Sequence, residues 1–147
     1  MKKMYFVMIT VLVISGALLA ACTGGASASI IGDWKLVSYG SPADLKPAAP
    51  DVDTSIVFGA DGKVNGNVGC NGFGGDYTVE GNTVTFGQIV STLMFCEGPV
   101  GDQETTTLNV FAGSATFVMD GDTLTITSTD GSSVIVLARK SSYPSYP

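Results

Sequence analysis

Gly66-Asn67-Val68-Gly69-Cys70-Asn71-Gly72-Phe73-Gly74-Gly75-Asp76-Tyr77 is the stretch whose reading decides the fold. Five glycines in twelve positions rule out a helix. So much backbone freedom is costly to fix, so it marks places that need φ above zero or a close approach of backbone. Asn71 tolerates the left-handed region and can hydrogen-bond neighbouring backbone. Strand-forming residues flank the stretch on both sides. It reads as a tight, bulged hairpin corner. Gly69, Gly72, Gly74 and Gly75 leave the backbone free to take positive φ and to aim Cys70 inward. Cys96, which follows the apolar run Leu93-Met94-Phe95, is expected near the core edge too.

Outward from the corner the chain alternates. Thr54 to Phe58 and Lys63 to Gly69 are joined by an Asp61-Gly62 hairpin turn. Asp76 to Glu80 climbs out, Gly81-Asn82 turns the chain, and Thr83 to Phe86 descends with polar and apolar residues in alternation. Ile30 to Tyr39 is a first strand with Trp34 and Leu36 on one face. Residues 40–53, with Pro42, Pro47 and Pro50, read as a loop. Gln88 to Met94 is a candidate strand. Residues 102–113 are the helical candidate, capped by Asp102, with Leu108, Phe111, Ala112 and Ala115 on one face. Strands at 115–119, 123–127 and 134–139 finish the domain. Eight or nine short strands with hairpin turns predict a mainly β fold, an antiparallel meander closing into a small barrel. The short helix is expected to cover one end.

The beginning of the chain has a different character. Met1-Lys2-Lys3 is basic, Met4 to Ala21 is mostly apolar, and Leu19-Ala20-Ala21-Cys22 follows. That order is the order of a secretory signal, and its last four residues resemble the lipobox of prokaryotic lipoproteins. The resemblance implies cleavage after residue 21 and a lipid on Cys22. The competing reading is an uncleaved membrane anchor, for which eighteen apolar-rich residues fall just short. Residues 22–29 then form a small-residue tether. Residues 140–147, with two Tyr-Pro pairs, are expected to be a frayed tail.

From residue 22 onward five basic residues face thirteen acidic ones, a net charge of −8. Such a chain suits neither nucleic acid nor anionic lipid headgroups. There is no histidine, the commonest general base and metal ligand at neutral pH.

Taken in order, Trp34-x-Leu36, Phe58 before Asp61-Gly62, Val68 to Tyr77, Thr92-Leu93-Met94-Phe95-Cys96 and the helix with Leu108 form a pattern. It resembles the META domain, the HslJ-like family of envelope lipoproteins, over residues 30–139. The specific part is Gly69-Cys70-Asn71-Gly72 and Tyr77, followed by Met94 and Cys96. The resemblance implies a lipocalin-like barrel with one helix and a place in heat and drug stress at the envelope. It implies no established enzymatic activity and no cofactor. The Pro-rich stretch 40–53 departs from the pattern.

Three chemistries remain open for Cys70 and Cys96: a disulfide formed after export, two buried free thiols, or a reactive or metal-binding pair. No histidine accompanies them and the spacing is not that of a CxxC site. Asp51, Asp53, Asp61, Asp76, Asp120, Asp122 and Asp130 lack the ligand order of a calcium loop and read as turn residues. Paired carboxylates for glycoside hydrolysis are a minor alternative, since each acid stands in or beside a turn. Ser38, Ser55 and Ser91 have no nucleophile-elbow context. Trp34, Tyr77, Phe86 and Phe117 read as core, or as the lining of an apolar cavity. The expected function is that of a lipid-anchored, non-enzymatic domain on the extracytoplasmic face of a membrane, partnered by an envelope protein. A carrier of a small apolar ligand is the alternative, and a hydrolase or thiol oxidoreductase a more remote one.

Overall fold

The computed structural model describes residues 29–140. The expected leader, Cys22 and the last seven residues lie outside them, as does all of the tether except Ser29. In chain order the elements are β1 (Gly32–Ser41), β2 (Asp44–Pro47), β3 (Ser55–Phe58), β4 (Lys63–Asn67), β5 (Gly72–Glu80), β6 (Thr83–Phe86), β7 (Val90–Ser91), α1 (Gly98–Val110), β8 (Ser114–Asp120), β9 (Thr123–Ser128) and β10 (Val134–Arg139). Every pairing is antiparallel. The strands run β10-β9-β8-β6-β5-β4-β3-β1, and β1 pairs back onto β10 to close the barrel. Closure leaves no free edge in that ring.

Strand direction defines two ends. The turns after β3, β5 and β8 share one end, the base, with Ile30 and Lys140, where the described chain starts and stops. The 68–71 corner, the segment after β6 and the β9–β10 turn share the other. Helix α1 covers that end and packs on β1, β9 and β10.

Alternation fills the interior. Trp34 and Leu36 face inward on β1. The register then shifts between Leu36 and Ser38, so Tyr39 is the next residue to face inward. Phe58 makes edge contacts with Tyr77 and Phe111, with centroids 5.1 and 6.3 Å apart. Phe86 lies against Phe111 at 4.3 Å. With Phe117, Ile126, Ile135 and Leu137 these side chains form one continuous core. The aromatics are core rather than cavity lining.

Several expectations are corrected. Residues 40–53 are not all loop, because Asp44–Pro47 pairs with the upper half of β1. Pro47 ends that strand at the sheet edge, where a missing N–H is tolerated. The strand expected over Gln88 to Met94 shrinks to Val90–Ser91 against β5. Beyond it Asn71 claims the backbone that a strand would have paired. The helix starts at Gly98 rather than residue 102, with Pro99 in its first turn and no side-chain cap. Pro supplies the fixed φ of a first turn without needing its missing N–H. The buried face of the helix is Gln103, Glu104, Thr107 and Val110. Phe111 is buried just beyond the helix end, Leu108 only partly, and Ala115 belongs to β8. Lys140, expected to begin a frayed tail, donates its backbone N–H to Asp33 O at 2.8 Å.

Candidate functional site

The glycine corner and the segment 92–96 meet at the helical end of the barrel. Gly69 and Gly75 work by close approach, while Gly72 and Gly74 meet only ordinary contacts, and none of the four is in the left-handed region. A Cβ on Gly69 would stand 2.7 Å from Glu104 Oε2, and one on Gly75 would stand 2.6 Å from Ile89 Cδ1. Gly69 thus lets the corner approach the helix, and Gly75 lets residues 88–89 cross β5.

Asn71 is the hub. Its Oδ1 accepts from Thr92 Oγ1 at 2.8 Å and from the Met94 N–H at 2.7 Å. Its Nδ2 donates to Met94 O at 2.9 Å and to Glu104 Oε1 at 2.6 Å. The other carboxylate oxygen, Glu104 Oε2, accepts the backbone N–H groups of Cys70 at 3.0 Å and Asn71 at 2.8 Å. Glu104 is only 8% exposed, and three N–H donors compensate for its removal from water. One residue earlier, Gln103 donates to Val68 O and accepts the Ala49 N–H at 2.8 Å. Tyr39 Oη donates to Pro99 O at 3.1 Å, tying β1 to the first turn of α1. Burial, with Asp102 adding, holds the Tyr39 phenol above its ordinary value.

Cys70 and Cys96 form a disulfide with Cα atoms 6.5 Å apart. Of the three chemistries left open, the structure selects this one. Both cysteines are half-buried at the rim, so Cys70 does not point into the core. The expectation for the run before Cys96 is overturned as well. Leu93 is 95% exposed, Phe95 87% and Met94 60%. Asn71 takes both backbone groups of Met94, which leaves the three side chains facing outward. Sequence reasoning named Asn71, Cys70, Cys96 and Met94 as motif residues but missed Gln103 and Glu104. No local pattern pointed to them: each residue of the corner carries one backbone acceptor for its one donor, so the need for a distant carboxylate is not written in the run.

The remaining motif residues lie elsewhere. Trp34 is fully buried near the base, with Nε1 donating to Ile30 O at 2.8 Å and the Arg139 guanidinium 4.2 Å over its ring. Tyr77 Oη donates to Gly59 O at 2.8 Å, and burial, with Asp61 adding, raises its phenol. Gly72 opens β5. Asp76, expected in a turn, stands within β5 and pairs with Lys63. Asp61 and Asp130 serve turns as expected: Asp61 accepts the Lys63 N–H at 3.1 Å, and Asp130 accepts from Ser128 and Ser132. The bonds from Ser128 and Ser132 draw the Asp130 carboxyl down to about 2. Among the described residues no three of His, Cys, Asp and Glu gather as a metal site.

This geometry defines a class: a small closed antiparallel barrel, filled by aromatics and capped by a helix that a disulfide-stapled polar cluster holds down. The META domain family model matches residues 28–141, and the chain belongs to that family. No curated protein matches it in sequence. Among solved structures it is similar to a Burkholderia xenovorans protein, at 18% identity and TM-score 0.61, covering 75% of this chain and 82% of that one. It is also similar to a DUF4847 family protein from Bacteroides vulgatus, at 18% identity and TM-score 0.53, covering 74% and 92%. Both likenesses are likenesses of fold.

Proposed function

We propose that this protein is a non-enzymatic binding or support domain of the cell envelope, exported and held to a membrane by a lipid on Cys22. The observation that carries the reading is the filled interior. Trp34, Phe58, Phe86, Phe111 and Phe117 occupy the space that a carrier would leave open, so the domain works through its outer surface. Membership of the META family and the small barrel support an envelope-type, non-catalytic role. A lipid anchor fits Leu19-Ala20-Ala21-Cys22 after an apolar run, and the domain's chain ends emerge together at the base. A link to stress follows from the HslJ-like resemblance. The Cys70–Cys96 bond suits an oxidising compartment.

Intact-mass measurement of protein extracted from the membrane tests the anchor. A mass lacking residues 1–21 and carrying lipid is expected, with unprocessed precursor from Cys22→Ser. Residues 1–21 still attached and no lipid would overturn it.

A further inference from the structure

We infer that the stapled loop Leu93–Phe95 is the docking element of the domain, inserting Leu93 and Phe95 into an apolar pocket rimmed by Lys or Arg on an envelope protein. This deepens the binding reading above and rests on it. Three consecutive large apolar side chains are exposed, Leu93 and Phe95 almost fully. Monomeric proteins seldom expose such a patch without using it. The loop is also fixed beforehand: Asn71 holds Met94 through N–H and C=O, and the Cys70–Cys96 bond closes the segment. Ordering costs on binding are correspondingly small.

Position and charge choose the occupant. The tip is at the end opposite Ile30, where the tether joins. Seven residues from Thr23 to Ser29 reach at most about 24 Å, too short to run back along a barrel strand and past the helix. The anchoring bilayer is therefore not the surface that the tip meets. Glu97, beside the staple, and Asp102, in the helix that follows, are both exposed, and the sequence holds no Lys or Arg from residue 64 to residue 138. Lys46, on β2 opposite Tyr39, is a basic residue at that end of the barrel. An acidic flank repels anionic headgroups and a second copy of itself, and it attracts a basic rim.

The test is photo-crosslinking of the full chain in the producing cell, with p-benzoylphenylalanine at position 95. Val118, exposed on the barrel wall, is the control position. A discrete protein adduct is expected at 95 and absent at 118. The linked peptide should be apolar with Lys or Arg beside it, and Glu97→Lys with Asp102→Lys should cut the yield about tenfold. A lipid adduct, an adduct to a second copy, an equal adduct at 118, or a yield indifferent to the charge reversal each overturns the inference. Leu93→Ser with Phe95→Ser should abolish a partner's binding while leaving Tm within about 2 °C, as exposed sites do. A larger fall in Tm makes these side chains structural and also overturns it. Lipid on Cys22 with no adduct at 95 would sink this inference alone. An adduct without lipid would sink only the anchor.

Discussion

The two ends of the barrel are closed by opposite means. The base is sealed by apolar burial: Ile30 and Trp34 fold in, and Arg139 lies over the indole. Its charges stay outside, in the pairs Lys63–Asp76, Arg139–Asp122 and Lys140–Asp53. The helical end is sealed by polar groups taken out of water, Gln103, Glu104, Thr107 and Asn71, and by a covalent bond. Apolar burial is adaptable in direction, whereas a hydrogen-bonded cluster fixes one arrangement. The base needs only stability. The helical end must hold a loop of exposed apolar side chains in one place, and directional bonds do that.

The largest break in the comparison comes from Trp34→Ala, expected to cost about 4 kcal/mol by cavity formation. A denaturant melt checks this. A loss below about 1 kcal/mol would put the indole outside the core. Next, Cys70→Ser and Cys96→Ser should each cost about 3 kcal/mol on the chain-entropy account. The double variant should be no worse than either single one, because one bond cannot be lost twice. Thiol counting on denatured, non-reduced protein should find none from these residues, and two would contradict the bond. Glu104→Gln comes third at about 2 kcal/mol, since its amide NH2 confronts N–H donors where a carboxylate oxygen accepted them. That variant should loosen the helical end alone, with base amides keeping their exchange protection.

The smallest effect is one of pH. Folding raises the Tyr39 and Tyr77 phenols, so their contribution is complete below the ordinary tyrosine value of 10. It is lost as pH rises through the folded values. Tyrosinate absorbance should therefore appear late in the native protein, and the denaturant midpoint should fall in the same alkaline range. Tyrosines that all titrate at the ordinary value would remove both couplings.

The contrast between the ends also explains what could be read from sequence. The base and the barrel wall follow period-2 alternation and Asx-Gly turns, so Trp34, Tyr77, Phe86 and Phe117 were legible as core. The family pattern singled out Cys70, Asn71, Met94 and Cys96. The helix was misread because its buried face is polar, and a search for apolar spacing slides toward Leu108 and Phe111. Glu104 stands thirty-three residues from Asn71, and no local signal joins them. Leu93-Met94-Phe95 looks like core by composition. It is turned outward because Asn71 binds the Met94 backbone, a tertiary fact invisible in the run itself.

Amide hydrogen exchange at Met94 tests the stapled loop most directly. Its N–H sits among exposed apolar side chains but donates to Asn71 Oδ1. The account predicts protection of about a hundredfold or more over a free peptide, lost in Asn71→Ala. Exchange at the free-peptide rate in the native, oxidised protein would contradict it.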